Sequence, residues 1–426
     1  MKNLKGKKLL VLGSAGSTVN VVKQAKKMGL YVITTSNTKE GQAADLADEA
    51  IGYSTNDYPA LVDYIRKNKV DGVMTGSSEF NVQNMIKLCK MAGLPCYATE
   101  EQWDATQDKR HFKDLCKKFG VPGVPEYSID DELGEEDFPV IVKPVDSYSS
   151  IGISICHNNE ELNIAKQKAL DASVSKTILI ERFIDNGGLT HNIKYVVIDG
   201  EFYMEMMCDR YVVKNGLITA VSFFPSINTA HFLKTIDEKV KDMFLSIGFR
   251  NGVFFLSALP EKENLYIYEM GLRTGGGMNY KITEVTSGNN DLEMLIHYAV
   301  TGEMCEEKDI QTIDPYLKGK QAASLAMPSR VGTIGQIVGG DRIENIDGVV
   351  NYTHFREEGD VITEKQINTL NQLFGRVMIV RNDKKLLFEG LEEIRNTISV
   401  KDIDGRNMIM WETFDDIYTQ NYLKKQ

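Results

Sequence analysis

Between residues 8 and 76 the apolar runs KLLVLG, LYVITTS and VDGVMTG alternate with the helical stretches STVNVVKQAKKMG and YPALVDYIRKN. This alternation constrains the fold more than any other feature of the chain. Strands joined through crossover helices pair in parallel and are covered on both faces, so an open α/β unit is expected at the start. Its first turn, Gly13-Ser14-Ala15-Gly16-Ser17, lacks the G-x-G-x-x-G spacing of a dinucleotide site. The second strand ends at Thr35-Ser36-Asn37, where an acid for a ribose hydroxyl would stand. The turn therefore reads as helix-on-sheet packing and not as an NAD site.

The pattern changes near residue 138, where short strands such as FPVIVKP, IGISIC, KTILIERFI and IKYVVIDGEFYMEMM follow one another through turn residues. Antiparallel sheet and hairpins are expected there, giving an α/β and α+β multidomain chain. A helix over TQDKRHFKDLCKKFG, before the boundary VPGVPEYS, links the two regions. Beyond residue 312, LAMPSRVGTIGQIVG, GRVMIVRN and the helical LEEIRNTIS suggest a separate closing domain. At 426 residues, two to four packed units are expected.

A net charge of -11 argues against general nucleic-acid binding. No apolar run approaches a membrane span, and MKNLKGKKLLVLG continues into a strand-turn-helix pattern instead of a cleavage site. The six cysteines lack metal-type spacing, so reduced thiols in a cytoplasmic protein are expected.

Three stretches carry chemistry. In PVIVKPVDSYSSIGIS a buried strand ends at Lys143, and a polar loop runs to Gly152. A strand-end lysine costs desolvation unless an anion meets it, and loop hydroxyls and N–H groups suit phosphate oxygens. In TILIERFIDNGG the strand ends at Glu181, where backbone groups can meet an adenine edge. VFFLSAL and LYIYE read as a hairpin with Ser257 nearly opposite Glu269, followed by Arg273 and the run Gly275-Gly276-Gly277. A carboxylate there suits Mg2+ on phosphates, and an arginine suits a phosphoryl or carboxylate oxygen.

In order, DK at 108–109, VKP at 142–144, IERF at 180–183, EMGLRTGG at 269–276 and TSGNNDLEMLIHYAVTGE at 286–303 resemble the ATP-grasp superfamily. The likeness is strongest to its branch of carbamoyl phosphate synthase-like, phosphoribosylglycinamide synthetase-like and biotin carboxylase-like members. It implies a Rossmann-like domain over 1–100, an ATP-grasp domain over 101–312 with a lid at about 124–180, and a closing domain over 313–426. Lys109 and Lys143 then match phosphate-contacting lysines. Ser147, Ser149, Ser150 and Gly152 match the loop over the phosphates, and Glu181 with the backbone of Arg182, Phe183 and Ile184 matches the adenine hinge. His191 falls at the ribose site, where an acid is often found. Glu269 matches a magnesium ligand, with Ser257 where a first metal-binding acid is usual, and Arg273 matches the arginine of the acyl phosphate.

The resemblance implies an ADP-forming ligase using ATP and Mg2+ (or Mn2+) to join a small-molecule carboxylate to an amine or related nucleophile. A homodimer is the expected assembly. Gly271 stands where the family pattern E-x-N has asparagine, so water, ATP or Glu261 or Glu263 would complete the metal site. A nucleotide binder without turnover is the alternative. Arg210 and Arg330 are candidates for substrate contact on position alone, while His231, His297 and His354 read as structural.

Overall fold

The computed structural model describes residues 4–14, 16–146, 152–213, 218–306 and 312–421. Strands Lys8–Leu12, Tyr31–Thr35, Glu49–Ile51 and Gly72–Thr75 form a parallel sheet in which Lys8–Leu12 lies between Tyr31–Thr35 and Gly72–Thr75. Leu9, Leu10, Val11 and Leu12 are completely buried, as a strand covered on both faces requires. Chain order reverses on either side of Lys8–Leu12, which opens a crevice at the carboxyl ends of that strand and of Gly72–Thr75.

The helix expected over TQDKRHFKDLCKKFG is observed as Lys109–Phe119, and a further helix, Glu100–Gln107, precedes it. The boundary between them has a local cause. The Asp108 carboxylate accepts from the backbone N–H groups of Arg110 and His111 at 2.8 and 3.0 Å, capping a new helix and ending the old one.

Residues 126–182 contain a small antiparallel sheet in the order Glu126–Tyr127, Ile178–Arg182, Val140–Pro144, Ser154–Cys156. Helix Asn159–Ala172 packs on it through Leu162, Ala165 and Ala169.

The largest layer is an eight-stranded antiparallel sheet. Its order is Asn264–Gly271, Gly252–Glu261, Leu189–Ile198, Glu201–Val212, Thr219–Phe224, Gln321–Pro328, Leu373–Arg381, Val349–His354. Three of these strands come from beyond residue 312. The segment expected to close the molecule as a separate domain therefore shares a sheet with the preceding one. LAMPSRVGTIGQIVG, read as one strand region, divides: Gln321–Pro328 joins this sheet, while Gly332–Val338 lies between Val361–Ile362 and Ser399–Asp402.

One core runs from Leu9 and Val73 of the parallel sheet to Ile193, Tyr195 and Phe254 of the large one. Helix Asp291–Thr301 lies in it, with Leu292, Leu295, Ile296 and Val300 buried. A second core gathers Val377 and Ile379 against Leu387 and Leu391 of helix Lys384–Thr397. Among the described residues no helix is long and apolar enough to cross a membrane.

Candidate active site

Capping by Asp108 places Lys109 at the first helical position. Its Nζ donates to the carbonyl of Val145 at 2.9 Å, which brings it to the end of the strand that carries Lys143. Burial lowers the Lys109 ammonium below its ordinary value and the Lys143 charge lowers it further, against the pull of Glu269, Asp146 and Glu79. Two cations are held close together here, an arrangement that suits an anion.

Lys143 is only 9% exposed, so its ammonium needs an anionic partner. The adjacent strand supplies one: Lys143 Nζ lies 2.6 Å from the Glu181 carboxylate, which also takes a bond from Lys113. Burial alone would push the Glu181 carboxyl up, but Lys143 and Lys113 outweigh it and hold the group below the usual carboxylate range. Glu181 is thus ionised and holds the Lys143 ammonium at the strand end.

After the strand that carries Glu181, the backbone N–H groups of Arg182 and Phe183 donate to the carbonyls of Pro125 and Pro139, each at 3.0 Å. Among the described residues the Ile184 N–H makes no such bond. The Arg182 guanidinium binds Glu261 at 2.7 Å and the Tyr266 hydroxyl at 3.2 Å. Glu261 therefore belongs to Arg182, at the turn end of its hairpin where it pairs with Asn264.

The hairpin pairs Ser257 with Glu269, and Ser257 also pairs with Asn192, which pairs with Cys208. Directly opposed residues of antiparallel strands share a face, so Glu269, Ser257 and Asn192 stand in one row. His191, one residue from Asn192, points to the other face. It is fully buried, with Nδ1 3.0 Å from Asp209 and Nε2 2.9 Å from the Asn228 amide, so the structure does not bring it together with Lys109, Lys143 and Glu269.

Glu269 is open to solvent on the cleft floor. The protein mass around it, and then the Glu79 carboxylate, push its carboxyl above the ordinary value, against the pull of Arg273, Arg210 and Lys109. Among the described residues no group of three or more His, Cys, Asp or Glu side chains could hold a metal. One carboxylate with an adjacent hydroxyl fits Mg2+ that keeps waters and nucleotide oxygens, and does not fit an all-protein cage.

Gly271, where the E-x-N pattern has asparagine, has a steric reason. A Cβ there would lie 2.4 Å from the Phe255 ring, which pairs across from it. The Arg273 guanidinium sits over that ring at 5.1 Å and binds Glu79 at 3.0 Å. The glycine run then passes Ser77, and the Gly276 carbonyl accepts from Arg376 at 3.3 Å. Gly152 packs against Pro144 and Ala172, while Ser147, Ser149 and Ser150 lie outside the described residues. Arg330 is half exposed and paired with Glu412, away from this cluster.

The family model for the D-ala D-ala ligase C-terminus matches residues 123–270. The chain is 25% identical over 308 residues to the carbamoyl phosphate synthase large chain of Clostridium botulinum (strain Langeland), covering 66% of this chain and 28% of that one. It is 26% identical over 188 residues to the formate-dependent phosphoribosylglycinamide formyltransferase of Prochlorococcus marinus, covering 42% and 48%. It thus spans about a quarter to a half of the length of these relatives. Among solved structures, phosphoribosylglycinamide synthetase from Anaerococcus prevotii superimposes with a TM-score of 0.75 at 19% identity, over 93% of this chain and 99% of that one. L-amino acid ligase from Bacillus licheniformis does so with 0.74 at 18% identity, over 93% and 99%. The fold these structures share with the chain is mixed α/β and multidomain. The matched model, the relatives and the solved structures support a likeness to the ATP-grasp superfamily.

Four residues of the cluster escaped the sequence reading: Glu79, Lys113, Phe255 and Arg376. Glu79 was the most accessible, because it follows a strand whose carboxyl end borders the crevice of an open α/β sheet. Phe255 reads as core in an apolar strand, and nothing near Arg376 in sequence marks it.

Proposed function

We propose that this protein is an ATP-dependent, ADP-forming ligase that joins a small-molecule carboxylate to an amine or related nucleophile through an acyl phosphate. The observation that carries the reading is the crowding of Lys109 and Lys143 opposite Glu269. Two ammonium groups and a carboxylate in one cleft suit a polyphosphate with its cation, and phosphoryl transfer needs mainly such positioning and charge neutralisation.

In this reading Lys109 and Lys143 bind phosphate oxygens, with 124–180 acting as a lid. The adenine edge meets the Ile184 N–H, since Arg182 and Phe183 have theirs engaged. Glu269, with Ser257 beside it, would hold Mg2+ (or Mn2+), whose charge when bound offsets that of the phosphates. A substrate carboxylate oxygen attacks the γ-phosphorus, the bond to the β,γ-bridging oxygen breaks, and ADP leaves with that electron pair. Arg273, steadied by Glu79 and Phe255, faces the resulting acyl phosphate. The amine nitrogen attacks the acyl carbon, inorganic phosphate departs, and the nitrogen releases a proton to solvent. Residues 1–100, 101–312 and 313–426 serve as leading, grasping and closing units around this reaction.

The test is ADP release by the purified protein with ATP, Mg2+, pooled carboxylates and pooled amines. Substrate-dependent ADP is expected. Normal ATP binding with no such release under any pool would leave the non-catalytic binder as the correct reading.

A further inference from the structure

The face that carries Glu269 continues past the nucleotide end of the cleft. Arg210, two residues beyond Cys208, pairs with Ser222, Ser222 pairs with Ser324, and Ser324 pairs with Met378. Arg376 lies two residues before Met378 and so presents its side chain to the same face. Two arginines therefore rise from the same side of one sheet, separated by two strands whose residues there are small: Ser222, Ser324 and, opposite Arg376, Ala326. Three strand spacings sideways, about 14 Å, and two residues along the strand, about 7 Å, place their backbones roughly 16 Å apart. The Arg210 guanidinium bonds to the hydroxyl of Thr219, on the next strand toward Arg376, at 2.8 Å.

Neither guanidinium has a carboxylate partner among the described residues. Arg210 is bonded to a hydroxyl and Arg376 to the Gly276 carbonyl. By contrast Arg182, Arg273, Arg330, Arg381 and Arg395 are all ion-paired. Burial and the nearby Arg210 charge lower the Arg376 guanidinium below its ordinary value. Two unneutralised forks over a floor of small residues make a receptor for a planar or tetrahedral oxyanion.

We propose that Arg210 and Arg376 bind an oxyanion carried by the amine substrate, a carboxylate or a phosphate ester, and orient its nitrogen toward Glu269 and Arg273. The identity of the ligand as the amine substrate rests on the ligase reading; the anion site itself rests on the two arginines and their floor. Arg210 lies between Arg376 and Glu269, near enough for its charge to act on both. A substrate anchored there would point back along the row toward the acyl phosphate.

The experiment measures thermal stabilisation by acetate and by inorganic phosphate, with ionic strength held by chloride, for wild type, R210Q, R376Q and R330Q. Wild type and R330Q should show the same saturable response to at least one anion. R210Q and R376Q should need roughly ten to a hundred times more of it. Whichever anion acts at the lower concentration distinguishes a carboxylate-bearing from a phosphate-bearing substrate. Absence of a saturable response in wild type, or its persistence in both arginine variants, overturns the site. If R376Q fails to fold, R210Q alone carries the comparison. These outcomes are independent of ADP release: without turnover but with an arginine-dependent response, the ligase reading fails and the anion site stands.

Discussion

Glu79 holds Arg273 at 3.0 Å across 194 residues of sequence, tying the carboxyl edge of the parallel sheet to the end of the strand that bears Glu269. The pair is partly buried and the guanidinium also lies over the Phe255 ring, so the geometry of Arg273 is set by two units at once. Glu79→Gln should reduce substrate-dependent ADP release by about one to two orders of magnitude while leaving ATP affinity within twofold, because the carboxylate aims Arg273 and does not touch the nucleotide. Steady-state kinetics beside nucleotide titration checks this, and a parallel loss of ATP affinity would refute it.

Removing Lys143 does more than weaken phosphate binding. Lys143→Ala leaves Glu181 buried with Lys113 as its remaining ammonium, and breaking one side of a buried ion pair costs about 3 kcal/mol. Lys143→Ala/Glu181→Gln should recover part of that stability without recovering nucleotide affinity. Urea denaturation of the single and double variants measures the coupling.

Glu269→Gln should abolish most of the Mg2+ dependence of ATP binding while retaining metal-free binding. The comparison is ATP affinity with Mg2+ and with EDTA, wild type against variant. An unchanged Mg2+ dependence would move the metal elsewhere.

A pH effect follows from a buried cluster around Lys194, two residues along the strand from Asn192. Lys194, Glu205 and Asp291 are all at most 4% exposed, with Lys194 bridging the two acids. Burial, and after it the Asp291 charge, pushes the Glu205 carboxyl up to about 7 despite Lys194. An acid whose folded value lies above its unfolded one binds its proton more tightly in the native state. Its favourable contribution is complete below the unfolded value, near 4.5, and is lost as pH rises through about 7. Wild-type thermal stability should therefore fall between pH 5 and 8, and Glu205→Gln should flatten that dependence.

The Gly271 contact gives a steric test. Gly271→Asn should destabilise the protein, since its Cβ meets the Phe255 ring at 2.4 Å. Combining it with Phe255→Ala should relieve the clash, so the double variant should cost less than the sum of the singles by about 1 kcal/mol or more. Additive costs would show that the ring is not the obstacle.

Local patterns made much of the fold legible. Alternating strands and helices marked the parallel sheet, and the spacing of VFFLSAL and LYIYE set Ser257 opposite Glu269, where the strands pair them. Chain order could not reveal that strands from beyond residue 312 extend the same sheet, because nothing local encodes which edge a strand joins. The cluster was legible where a residue breaks its surroundings, as Lys143 does at the end of an apolar strand. It was illegible where the partner is remote: the Glu181 carboxylate that meets Lys143, the Glu79 that meets Arg273, and Arg376 on the far side of the sheet.

Because Glu269 and Arg376 stand on strands of one continuous eight-stranded sheet, that sheet acts as a ruler between the two ends of the cleft. In the ligase reading, the span a substrate must bridge is graduated in whole strands. Changing the length of molecule accepted would require moving a side chain to a neighbouring strand, which sets coarse steps for how such a site can be retuned.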